Sequence, residues 1–166
     1  VKVDKVFVPE RHIVGAEFMT SSAAFPNGTP GVQAHGDPIY QFVAVGWFHC
    51  EFAAILSGAA RAALDEFLEL ARTRTVFGDP ATKRIHDPFV QHLYGVACGQ
   101  ADAVEARTLA ACELHEEQQR RSVRDRTPIS DADTAKVWSL AREACRHATQ
   151  PVEDLFYAAA ASSGRS

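Results

Sequence analysis

Apolar residues recur at intervals of three and four from Phe52 onward: Phe52, Ile55, Leu56, Ala59, Ala60, Ala63, Leu64, Phe67, Leu68 and Ala71. Ser57, Arg61, Asp65, Glu69 and Arg72 fall between them. The pattern predicts an amphipathic helix from about Ile39 to Arg74 with that polar set facing outward. Gly58 lies mid-helix, where glycine costs about 1 kcal/mol relative to alanine, and close packing of a neighbouring helix is the expected reason for it. A second apolar set, Val90, Leu93, Tyr94, Val96, Ala97, Ala101, Val104, Leu109 and Cys112, predicts a helix from Pro88 to Arg126. Its last third, ELHEEQQRRSVRDR, is densely charged and reads as a solvated helix end carrying ion pairs one turn apart. TPIS then interrupts the pattern. Ser130 and Asp133 resemble a capping box with Asp in place of the usual Glu. A third helix is expected from Asp131 to Ala161, bent near Pro151 because proline removes a backbone bond and crowds the preceding turn.

Ahead of these helices, VKVDKVFV (residues 1–8) is valine-rich and partly alternating, so a short strand ending at Pro9 is expected. Asp4-Lys5 breaks the alternation and marks a bulge or turn. Gly, Pro, Ser and Asn then dominate to about residue 37, and PNGTPG (residues 26–31) reads as a turn within a long loop. The predicted fold class is mainly all-α: an up-and-down bundle of long helices over residues 38–166, with residues 1–37 as a short strand and linking loop. Three apolar-faced helices want a fourth, from this chain or a neighbour, so a homo-oligomer is expected.

At 166 residues the chain supports one good core. A net charge of −4 gives no reason to expect nucleic acid as a partner. No apolar run approaches the roughly 18 residues of a membrane span, and the first residues lack the features of a signal peptide. Cys50, Cys98, Cys112 and Cys145 are widely spaced without a C-x-x-C pair. They read as small buried hydrophobes in a reducing compartment, with the cytoplasm as the default location.

Little in the chain carries an evident chemistry. No Glu-x-x-His occurs, and His86, His92 and His115 lack metal-ligand spacing, so no metal site is expected. There is no Gly-rich phosphate loop, nucleophile elbow or Cys-His signature. His49, in GWFHCEF beside Trp47 and Phe48, is either a packed residue with a satisfied ring nitrogen or a functional one. RTRTVFGDP (residues 72–80) also reads in two ways. Its arginines cap a helix dipole while Gly78 and Pro80 stop the helix, or Arg74 and Phe77 hold something anionic and flat.

The order of FVPE, a long loop, LSGAARAALDEFLELARTRTVFG, FVQHLYG and AKVWSLAREA resembles the C-terminal half of the acyl-CoA dehydrogenase superfamily. The family pattern G-x-A-x-x-A-L corresponds to Gly58 through Leu64. R-x-x-F-G corresponds to Arg74 through Gly78, and the glutamine of the next helix to Gln91. DKVFVPERHIV and VEDLFYAAAASS are more similar to the flavin-dependent monooxygenase branch, which acts on 4-hydroxyphenylacetate, phenolic steroid-degradation intermediates and dibenzothiophene. Ser162-Ser163, where the dehydrogenases typically show two glycines, favours that branch.

The resemblance implies the oxygenase component of a two-component monooxygenase. It would use reduced flavin (FMN or FAD) from a separate flavin reductase, and oxygen, to hydroxylate a small aromatic substrate. It also implies a tetramer formed through the bundle. Arg74, Phe77 and Gln91 would bind the cofactor, Arg74 by pairing with a flavin phosphate and Phe77 by packing on an apolar part. Alignment around ALDE places His49 where the dehydrogenases keep a residue of the acyl-substrate pocket, and Trp47, Phe48 and His49 are the expected substrate pocket. The family's N-terminal domain, most of its β domain and its last bundle helix have no counterpart here, and neither does the dehydrogenases' glutamate base. The catalytic residues are therefore not identified, and half a flavin site is expected. An acyl-CoA dehydrogenase-like flavoenzyme and a non-catalytic helical assembly module are the competing readings.

Overall fold

The computed structural model describes residues 4–13 and 19–160. Among them, α1 (Pro30–His35) precedes three long helices, α2 (Ala44–Thr73), α3 (Pro88–Asp125) and α4 (Asp131–Ala160). A hairpin of β1 (Thr75–Val76) and β2 (Asp79–Lys83) joins α2 to α3. One buried cluster unites Ala60, Leu64, Phe67 and Ala71 of α2 with Val90, Ala97 and Ala101 of α3 and Leu155 of α4. The other unites Cys50 and Ala53 with Ala111 of α3 and Val137, Ala141 and Ala144 of α4. Early α2 therefore meets late α3 and early α4, so α3 runs antiparallel to both neighbours. α4 packs along both of the others, and α2 and α3 meet less extensively. Alanine at so many of these positions lets the helix axes come close. The up-and-down bundle expected from the periodicity is thus the architecture observed.

The inward faces differ from the predicted ones. On α2 the buried stripe is Ala53, Ser57, Ala60, Leu64, Phe67 and Ala71. Ser57 lies inside, while Phe52 and Ile55 are each 58% exposed. A Cβ on Gly58 would meet nothing within 4 Å, so no helix among the described residues explains that glycine. Val96 and Leu109 of α3 also face outward. The "solvated" end of α3 is buried along one side, through His115, Gln118, Gln119 and Ser122. These four continue the stripe of Thr108 and Ala111 at helical spacing, so geometry carries them inward although they are polar.

Those buried polar groups hold the long loop and the start of α4. Gln119 Nε2 donates to the carbonyl of Ile39 at 2.9 Å, and Gln118 Nε2 to that of Asp133 at 3.0 Å. Gln41 donates to Ser122 Oγ at 3.1 Å and accepts from the amide of Thr29 at 2.9 Å. That inward turn of Gln41 is why α2 starts at Ala44 rather than near Ile39, after a 3-10 turn at Pro38–Tyr40. The segment read as a turn begins α1: Thr29 caps it, Pro30 occupies its first turn, and Gly36 closes it at φ +70°. Of the strand expected over residues 1–8, residues 1–3 lie outside the described residues, and residues 4–8 form no ladder among those described and are exposed. A lone extended segment has no partner for its backbone groups.

The capping box is present. Asp133 NH donates to Ser130 Oγ at 3.2 Å, and Ser130 NH donates to Asp133 Oδ2 at 3.2 Å. Burial alone would raise the Asp133 pKa, but the Ser130 donors and the Arg121 guanidinium at 2.8 Å outweigh it and hold it below the usual range. α4 then continues through Pro151, whose ring is fully buried. Among the described residues no helix is long and apolar enough to cross a membrane. Ser130→Ala removes the hydroxyl from this cap and should cost about 1 kcal/mol of stability. Urea unfolding of the variant beside the parent measures that loss.

Candidate functional site

Two concave regions lie at opposite ends of α2. The first is built by the hairpin. Val76 pairs with Asp79, leaving Phe77-Gly78 as a two-residue turn with Gly78 at φ +81°, a conformation that favours glycine. Lys83 Nζ donates to the carbonyl of Thr73 at 2.7 Å, and Arg84 Nη2 donates to that of Ala158 at 2.9 Å. These bonds fasten the hairpin to the ends of α2 and α4. A cleft of about 480 Å³ results, lined by Arg74, Val76, Phe77 and Pro80 among others. Arg74 is exposed, and its guanidinium makes no hydrogen bond or ion pair among the described residues. Phe77 is 68% exposed. Gln91 does not line the cleft; its side chain donates to the carbonyl of Ile85 at 2.8 Å. The structure thus brings Arg74 and Phe77 together and leaves Gln91 one element away. The hairpin itself was missed by sequence reasoning, although T-V-F-G-D carries a turn signal between two extended residues.

The second region is a cavity of about 810 Å³ between the start of α2, late α3 and the turn before α2. Trp47 and Phe48 line it, with ring centroids 5.2 Å apart in an edge arrangement. Phe42, Cys50, Cys112 and His115 contribute further wall. Burial and the neighbouring Cys112 thiol push Cys50 up to about 12, so it remains a thiol rather than a nucleophilic thiolate. His49 is not part of this lining. Its Nδ1 lies 2.7 Å from the carbonyl of Val45, to which it donates in the matching tautomer, and its ring meets Trp138 edge-on at 5.7 Å. The packed alternative describes that histidine.

His115 is the residue the sequence reasoning passed over. It is 5% exposed, and neither ring nitrogen has a hydrogen-bond partner among the described residues. The close approach of α2 depends on Gly46, where a Cβ would lie 3.1 Å from His115 Cε1 and 3.2 Å from Nδ1. Burial lowers the His115 pKa below its ordinary value, favouring the neutral ring. The usable signal was its place in the stripe 108, 111, 115, 118, 122, hidden because every member of the last part is polar. Among the described residues no group of three His, Cys, Asp or Glu is placed to hold a metal ion.

Arg74 and Trp47 are separated by 27 residues of nearly continuous helix, or about 40 Å along the axis. One chain therefore carries two concave regions that a single small molecule does not span. A family model described as acyl-CoA dehydrogenase, C-terminal domain, matches residues 50–166. Arg74, Phe77, Gln91 and His115 lie within that match, and Trp47, Phe48 and His49 just before it. No curated protein and no solved structure matches the chain.

Protonation of His115 gives a pH signature. Below about pH 6.5 the unfolded chain takes up a proton here that the folded chain accepts only at lower pH. Stability from this residue is full above 6.5 and falls as pH drops, by up to about 1.4 kcal/mol per pH unit. His115→Leu removes the term. The melting temperature of that variant minus that of the parent should therefore grow from about pH 7 to about pH 5. A constant difference would place the proton uptake elsewhere.

Proposed function

The chain belongs to the acyl-CoA dehydrogenase C-terminal domain family, and from that premise we propose that it is the helical part of the oxygenase component of a two-component flavin-dependent monooxygenase. Domains of this family typically bind flavin. Bound reduced flavin supplies the electrons and the oxygen chemistry, while this chain's residues bind, orient and exclude water. The observation that carries the reading is the separation of two incomplete sites on one helix. At the hairpin, an unpaired guanidinium stands beside an exposed ring, a pairing suited to a phosphate and a flat apolar group. At the far end, an aromatic cavity of about 810 Å³ suits a small aromatic substrate. A flavin held by Arg74 and Phe77 would then serve a site completed by a neighbouring subunit.

Assembly fits the same reading. Phe48, Phe52 and Ile55 form an exposed apolar stripe on the outer side of α2, and Gly58 stands with open space beside it. That combination suits close approach by a second copy. We expect a homotetramer in the intact protein, fed by a separate flavin reductase. Sedimentation showing a stable monomer at micromolar concentration would argue against it. A dehydrogenase acting on an acyl-CoA is the reading that the family's own description favours. It would reduce bound oxidised flavin without oxygen.

Arg74→Ala tests the cofactor half-site. A charge-assisted bond to phosphate is worth about 1.5–3 kcal/mol, so flavin affinity should fall roughly tenfold or more. Arg72→Ala is the control, because its contribution at the helix end is only about 0.3–1 kcal/mol. Flavin titration of each variant, beside its melting curve, separates the two roles. Equal loss of stability with unchanged flavin affinity would reduce both arginines to helix capping.

A further inference from the structure

All the cysteines carry free thiols, and two of them face each other. α2 and α3 run antiparallel, and their register is fixed at two points. A Cβ on Gly46 would lie 3.1 Å from His115 Cε1, and further along α2 Arg61 donates to Asp102 at 2.6 Å and to Glu105 at 3.0 Å. Cys50 stands one turn beyond Gly46, and Cys112 nearly one turn before His115. The antiparallel register therefore sets them opposite each other. Cys50, 8% exposed, belongs to the same buried cluster as Ala111, and Cys112 packs against that cluster. The two thiols are hydrogen-bond neighbours. Both also line the cavity of about 810 Å³, which gives a small solute a route to them.

Small residues hold the two helices close at this level: Gly46 and Ala53 on α2, and Ala111 on α3. A disulfide needs its Cα atoms within about 7 Å of each other. Helix axes about 8–10 Å apart supply that only where the two residues point at one another across the contact. The remaining cysteines are placed differently. Cys98 interacts with Tyr94 of its own helix. Cys145, on α4, packs against the same cluster as Cys112 but takes no part in the cavity lining, so it is the competing partner.

We propose that Cys50 and Cys112 form an oxidisable dithiol site, which hydrogen peroxide entering the cavity converts into a disulfide that clamps α2 to α3. Cys112, the more exposed thiol, reacts first. Its sulfur attacks one peroxide oxygen and the O–O bond breaks. Cys112 becomes a sulfenic acid, and the other oxygen leaves as water with the thiol proton. Cys50, held protonated by burial, is a poor first nucleophile but stands in place for the second step. Its sulfur displaces the sulfenic hydroxyl, which departs as water with the Cys50 proton. Two thiols and one peroxide thus give one disulfide and two waters. The site needs neither flavin nor oxygenase activity.

The test treats the reduced full chain, in its native assembly, with hydrogen peroxide, caps the remaining thiols with N-ethylmaleimide and maps peptides without reduction. A peptide pair joined through Cys50 and Cys112 should appear, lighter than its separate parts by two hydrogen atoms. It should outnumber every other cysteine pair on the order of tenfold, and that lead should vanish when the oxidation is done in urea. The oxidised chain should melt above the reduced one and return to it with dithiothreitol. Cys50→Ala should leave Cys112 as a sulfenic acid that dimedone traps. Cys112→Ala should leave Cys50 reduced, and Cys145→Ala should change nothing. Cys112 bridged to Cys145 or to a second copy overturns the proposal, as does a parent that ends with overoxidised Cys112 and free Cys50. An equal share of the pair in urea and in the folded chain overturns it too, because the fold then contributes nothing to the pairing. Where an alanine variant fails to fold, the parent's peptide map decides alone.

Discussion

Buried polar groups must be paired, and that demand organises the end of the bundle where late α3 meets early α4 and the long loop. A helix end rich in Gln, Ser and His is turned inward by the same angular step that buries Ala97 and Ala101 further back. Once inside, most of these groups find a partner, Gln119 in the loop and Gln118 Nε2 at the start of α4, while Gln118 Oε1 and both His115 nitrogens have none among the described residues. Gln119 holds Ile39, Gln41 bridges Thr29 to Ser122, and Ser22 exchanges bonds with Ile129. The loop is long because it crosses this end, and it is ordered there because its unpaired amides and carbonyls meet side chains aimed at them. The cavity exists under that crossing, with His115 at its wall.

At the opposite end the organising contact is cationic. Lys83 and Arg84 donate to carbonyls at the ends of α2 and α4, where helix dipoles favour positive charge. The hairpin between α2 and α3 is thereby pinned, and Arg74, immediately after α2, is left with its guanidinium outward. A helix of 30 residues separates these two ends rigidly. It fixes the distance between what one copy presents at its hairpin and what it presents at its aromatic cavity.

The helices were largely legible in the chain. Periodicity, and Ser130 with Asp133, are local signals, and they placed α3 and α4 to within about a residue. Arg74 beside Phe77 was also legible, since five residues of sequence hold them together whatever the fold. Less legible was the inward face of each helix. Phe52 and Ile55 look like core and stand outside, whereas Ser57 lies inside. At Ala53, Ser57 and Ala60 the close-packed helices admit only small residues, while further along the same stripe Leu64 and Phe67 fill the core. α1 and the hairpin were hidden for a different reason: both are short, and their turns resemble ordinary loop composition.

By itself the sequence determined the bounds of α3 and α4 and the end of α2, that the helices form a bundle with surplus apolar surface, and which family pattern they carry. Those properties depend on neighbours within a few residues, where spacing and caps decide. Only the tertiary structure decided which histidine forms part of the cavity wall. His49 has the aromatic neighbours in sequence, but its nitrogen returns to Val45 in its own helix. His115 sits among glutamates in sequence, yet it is carried inward across from Gly46, where the absence of a Cβ leaves room for its ring. The difference arises from the rotation of one helix against another, a quantity set by packing over the whole interface and written at no single position of the chain.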